Sequence, residues 1–181
     1  KNHRVQIIKE DGLYRHISAT ENGSAIYRFD LITWPGYLAY TGDMGHFVFA
    51  RIPDMFAFFR GKEINPGYWA EKVLAENIHD GIEEFSVDVF RENVLHDARS
   101  YLDLEENEPI PDDIQEEIRV LLDAEDEWEC VEEMRRFSSE KIKFHDFWEC
   151  RTTKYTDAYL LACYAIVWAI AQYDARKEAK A

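Results

Sequence analysis

The chain has 181 residues, 46% of them hydrophobic and 14% aromatic, with a formal net charge of −15. That length fits one domain, residues 1–181, which buries enough surface to hold together without a disulfide or a metal. The composition excludes a disordered chain, and the acidity argues against direct binding to nucleic acid or to an anionic membrane.

The chain opens on Lys1-Asn2-His3-Arg4 and runs into a strand-like segment with no apolar leader. Five strands are predicted over residues 1–52: Val5–Lys9, Tyr14–Ala19, Ala25–Thr33, Tyr37–Tyr40 and Phe47–Arg51. They are separated by Asp11-Gly12, Glu21-Asn22-Gly23, Pro35-Gly36 and Gly42-Asp43-Met44-Gly45, all turn chemistry.

From Pro53 the period becomes helical. A short helix spans Asp54 to Phe59, and a second runs over Tyr68–Ala75 with Asn65 as N-cap and Pro66 at its first position. Ser86 caps a helix over Val87–Leu102, whose inward stripe is Val87, Phe90, Val94, Leu95 and Ala98. An acidic helix is predicted over residues 112–135, opened by a capping box of Asp112 and Gln115. Thr156 or Asp157 caps the last helix, from Ala158 to about Ala175. Its longest apolar run, Ala158 to Ala171, is 14 residues, short for a bilayer span and suited to a buried helix. Strands first and helices afterwards give an α+β fold, an antiparallel meander packed against four to five C-terminal helices.

The acidity is local. Between Asp103 and Glu133 there are 15 acidic residues and one basic residue, Arg119, while the remainder holds 21 acidic and 20 basic residues. Within that segment Ile114, Ile118, Leu121, Leu122, Trp128 and Val131 read as one apolar stripe. Such a helix fixes Glu116, Glu117, Asp123, Glu125, Asp126, Glu127, Glu129, Glu132 and Glu133 off the stripe. With Trp128 as an apolar anchor, those carboxylates form the candidate partner-binding set, suited to a Lys- and Arg-rich protein or nucleoprotein. A plain solvated face is the alternative use of the same run.

Enzymatic candidates are weaker. Asp43 and His46, on a glycine-flanked turn near Trp34, form the alternative pocket for a small molecule, a nucleotide or a hydrolytic reaction. A turn whose aspartate caps its own backbone explains the same residues. His79-Asp80, His96-Asp97 and His145-Asp146 are neighbours in sequence, and adjacent side chains seldom face one another. Cys130, Cys150 and Cys163 form no CxxC pair and no zinc spacing, the usage of a reducing compartment. No catalytic residue, metal or cofactor is expected.

Four blocks carry a family resemblance: FDLITWPGYLAYTGDMGHFVF at residues 29–49, RIPDMF at 51–56, NPGYWAEK at 65–72 and YAIVWAIAQYD at 164–174. Together they cover about a quarter of the chain and resemble a family of small accessory proteins carried by bacteriophages and prophages. The resemblance assigns no residue a role, and the acidic run lies outside the blocks. It implies a host-cytoplasmic protein that acts on host machinery, such as a restriction or CRISPR complex. An acidic inhibitor occupying a nucleic-acid groove follows as the first expectation. A ligand-binding or hydrolytic protein is the second, and a phage structural or assembly protein the third.

Overall fold

In a computed structural model of the chain, residues 3–61, 63–78 and 81–179 are described. His79 and Asp80 lie outside them. The fold is α+β, and the chain divides into two compact units where length alone suggests one domain. Unit 1 comprises residues 1–83 and 155–181, and unit 2 comprises residues 84–154.

Unit 1 contains a six-stranded antiparallel sheet whose strands lie in chain order: β1 (His3–Asp11), β2 (Tyr14–Glu21), β3 (Phe29–Trp34), β4 (Tyr37–Gly42), β5 (Gly45–Ala50) and β6 (Val73–Ala75). Alternation puts Ile17, Leu31, Tyr40 and Phe47 on one buried row, because they face one another across β2 to β5. Gly42 is needed at its turn. A Cβ there would stand 2.5 Å from the Arg28 carbonyl oxygen, and Gly45, which closes the hairpin, has φ +119°.

Helix α6 (Asp157–Glu178) packs against β1, β5 and α1 (Met55–Phe59) through Tyr159, Ala162, Cys163, Ile166, Ala169, Ile170 and Tyr173. Thr156 is its N-cap, accepting from the Tyr159 amide at 3.2 Å. The core is aromatic-rich. Phe49, Phe59 and Trp69 make consecutive edge-to-face contacts, with centroids 5.1 and 4.8 Å apart. Arg15 reaches inward from β2 to form two hydrogen bonds to Asp54, at 2.7 and 3.1 Å, and lies 4.8 Å over the Phe56 ring.

The third predicted strand starts late. Residues 24–28 form turns, with Tyr27 at φ 56°, and pairing begins at Phe29. The second predicted helix is also cut short. Asn65 caps α2 (Pro66–Ala70) as expected, but Val73–Ala75 then pairs with β5 as a sixth strand. Edge pairing to an open strand outweighs local helix propensity at those three residues.

Unit 2 is helical. It contains α3 (Val87–Tyr101), α4 (Asp112–Leu122) and α5 (Glu127–Arg136), each packed on the other two, and one 3-10 turn at Phe147–Glu149. Short strands β7 (Glu83–Phe85) and β8 (Thr153–Tyr155) pair where the chain enters and leaves this unit. Phe90, Val94, Ala98, Ile118, Leu121, Cys130, Ile142 and Phe147 form a core separate from that of unit 1.

The acidic helix predicted over 112–135 is two helices. The break falls at Asp123–Asp126, and the buried positions of α5 are Cys130 and Met134, so Trp128 does not continue the inward stripe. Asp126 causes the break, since its carboxylate accepts from the Glu129 amide at 2.8 Å and starts a new helix. The capping box at Asp112 is also absent. Pro111 occupies the cap position, and Gln115 donates its side-chain amide to the Ile110 carbonyl instead.

Candidate functional site

The charge imbalance of the acidic run falls within one structural unit. Unit 2 holds 22 acidic and 9 basic residues, a net of −13, and unit 1 holds 14 and 12, a net of −2. The candidate site is therefore the outer surface of α4 and α5.

Its carboxylates fall into two groups. Some have structural work. Asp126 caps α5, and Glu129 accepts from the Glu125 amide at 2.9 Å, so the pair closes the helix start from both sides. Glu117 accepts from the Ser139 hydroxyl and stands 3.3 Å from the Lys141 ammonium. Lys141 also meets Asp113 at 3.1 Å, and this contact holds the Asp113 carboxyl below its ordinary pKa. Glu132 pairs with Arg135 and Arg136 at 3.3 and 3.1 Å, Glu133 lies 4.0 Å from Arg136, and Glu116 pairs with Arg119 at 2.9 Å. These pairs are exposed enough to contribute little to stability.

The other group is uncommitted. Among the described residues, the side chains of Asp123, Glu125 and Glu127 have no hydrogen-bond or ionic partner, and all three are exposed. Asp123 stands at the C-terminal cap of α4, where the helix dipole disfavours a negative charge.

Trp128 adjoins them with 67% of its surface exposed. Its ring, Val120 and Ala124 line a shallow depression of about 540 Å³ between α4 and α5, rimmed by Glu116, Asp123, Glu129, Glu133 and Arg119. Val120 is absent from the predicted set. It is 45% exposed, and its place off the buried Ile114–Ile118–Leu121 stripe is the sequence signal that marks it. The face can thus hold fixed negative charge around a small apolar floor, a surface for cations carried on an apolar stem.

The alternative pocket is not assembled. Trp34 pairs with Tyr37 at one end of the β3–β4 hairpin, whereas Asp43 follows Gly42 at the other, about 16 Å away along the strand. The Trp34 ring stacks on Tyr37, centroids 5.2 Å apart at 15°. Asp43 accepts from the Tyr27 amide at 3.0 Å, and its own amide donates to the Arg28 carbonyl at 3.0 Å. Asp43 therefore braces the left-handed Tyr27 turn. His46 lies 2.7 Å from the Thr41 hydroxyl through Nδ1, within its own hairpin.

The remaining candidates stay apart. His96 is exposed on α3 beside a half-buried Asp97, whose carboxyl pKa is raised by burial. His145 is exposed before a left-handed Asp146. Cys130 and Cys163 are buried and Cys150 is exposed, all as free thiols. Burial pushes the Cys163 thiol up to about 12, which disfavours the nucleophilic thiolate. Among the described residues no cluster of three metal-ligating side chains is present. Compared with family models, with curated proteins and with solved structures, the chain finds no match.

Proposed function

We propose that the protein is an acidic interaction protein, in which unit 2 engages a Lys- and Arg-lined surface of a partner through the α4–α5 face. The observation that carries this reading is the separation of charge, −13 on unit 2 against −2 on unit 1, with Glu116, Asp123, Glu129 and Glu133 around an exposed tryptophan. Helical carboxylates three or four positions apart lie roughly 5–6 Å from one another at Cβ, a fixed anionic array of the kind a nucleic-acid groove accepts. Charge speeds encounter and selects the partner, and the Trp128 ring supplies the apolar contact that slows dissociation. The resemblance to phage accessory proteins points to a host defence nuclease or CRISPR complex as the partner class, with inhibition as the outcome.

The test is reversal of Asp123, Glu125 and Glu127 to lysine, which spares the capping and paired carboxylates. Partner captured from host lysate at about 50 mM salt should be lost with this variant, and lost from the wild type near 500 mM. Capture that is indifferent to both changes overturns the proposal.

A further inference from the structure

The depression beside Trp128 is the first of three that adjoin along α5. The next, about 470 Å³, shares Val120 and Glu133 with it. The third, about 580 Å³, shares Phe137, Ser138 and Ser139 with the second and ends at Trp148. Each is lined in part by α5, whose ten residues rise about 15 Å.

The two ends of the series differ. Four carboxylates face one guanidinium around Trp128, but at Trp148 only two carboxylates, Asp146 and Glu149, stand with the Lys143 ammonium. The far wall is aromatic, with Phe137 against Phe144 and Phe144 against Phe147, centroids 5.2 and 5.9 Å apart. Trp148 stands out from that wall with 52% of its surface exposed. One exposed ring on a surface is ordinary. Two exposed indoles in the first and last of three adjoining depressions, with the negative charge concentrated around one of them, are a surface with direction.

We infer that this groove docks a single segment of the partner, arginine-bearing where it meets Trp128 and apolar where it meets Trp148. The inference rests on the acidic-interaction reading and adds to it the occupant and its polarity. An arginine over Trp128 gains the ring quadrupole and the Asp123 carboxylate together. At the other end the wall of Phe137, Phe144 and Phe147 and the lower density of carboxylates suit an aliphatic or aromatic side chain better.

The test uses the full chain and two labelled synthetic 14-residue peptides of identical composition. One carries its arginines in one half and its leucines in the other, and the second interleaves them. The segregated peptide should bind about ten-fold more tightly, and Trp148→Ala should remove most of that advantage. The indole N–H resonances of Trp128 and Trp148 should shift with one midpoint while that of Trp34 stays still. Equal, salt-sensitive affinity for both peptides, or a shift at Trp128 alone, overturns the groove and leaves the acidic reading standing. Failure of both peptides to bind overturns the two together.

Discussion

Unit 1 and unit 2 each wrap their own buried core, but they differ in the balance of acids and bases they carry. In unit 1 several acids are paired with bases drawn from distant parts of the chain. Asp54 meets Arg15, Asp174 meets Arg60 at 2.7 Å, and Glu10 accepts from Lys177 at 2.6 Å and from the Tyr173 hydroxyl. In unit 2 the acids outnumber the bases by 13, and Asp123 even stands where the α4 dipole opposes it. A charge arrangement that costs stability in one unit and is avoided in the other points to use outside the fold. The comparison also separates carboxylates that build unit 2 from carboxylates that merely decorate it.

The largest effect should come from the core of unit 1. Phe47 is fully buried against Tyr40, Phe49 and Tyr159, so Phe47→Ala should cost about 3–5 kcal/mol and accelerate amide exchange throughout β3–β5. A loss under about 1 kcal/mol would mean that this ring does not anchor the sheet.

The Arg15–Asp54 pair gives a pH-dependent test. The Arg15 guanidinium holds the Asp54 carboxyl below its ordinary value, although partial burial opposes the shift. Because the folded pKa is depressed, the contribution is present above the unfolded value of about 3.9 and is lost as pH falls through the folded value. At about pH 6, Asp54→Asn should be less stable by about 1.5–3 kcal/mol, the range for a hydrogen bond to a charged group. That gap should close as urea unfolding is followed down through the folded Asp54 value. A gap constant with pH would contradict the assignment.

Two neighbouring acids of unit 2 should respond with opposite signs. Asp126→Ala removes a helix cap and should cost about 1 kcal/mol, despite lowering the net charge. Asp123→Asn removes an unpaired charge from the wrong end of α4 and should stabilise by about 0.3–1 kcal/mol. Amide exchange in α4 and α5 reads both. Equal effects from the two variants would erase the distinction between building and decorating carboxylates.

Much of this arrangement is legible in the sequence, and the rest fails for identifiable reasons. The turns at Asp11-Gly12, Pro35-Gly36 and Gly42–Gly45 announce the meander because each supplies a backbone geometry few residues allow. β6 is hidden, since three residues become a strand only when β5 offers an edge. The acidic run conceals its break because apolar positions continue in helical spacing across Asp123–Asp126. The signal for the break is Asp126 followed three residues later by Glu129, a second capping pair. The carboxylate face is therefore readable as composition, while its division into capping, paired and uncommitted groups, and its neighbour Val120, emerge only from packing. The Asp43, His46 and Trp34 grouping fails because strand pairing carries Trp34 to the far end of the hairpin.

The most direct measurement compares two triple variants of equal charge change, binding the captured partner or, failing one, the segregated arginine–leucine peptide. Asp123, Glu125 and Glu127 in unit 2 are changed to lysine, and so, separately, are the exposed Asp11, Glu63 and Glu71 in unit 1. The account predicts that the unit 2 variant loses at least about ten-fold in affinity and flattens the salt dependence, while the unit 1 variant stays within about two-fold of wild type. Equal losses from both variants would show that only total charge matters and would contradict a dedicated acidic face.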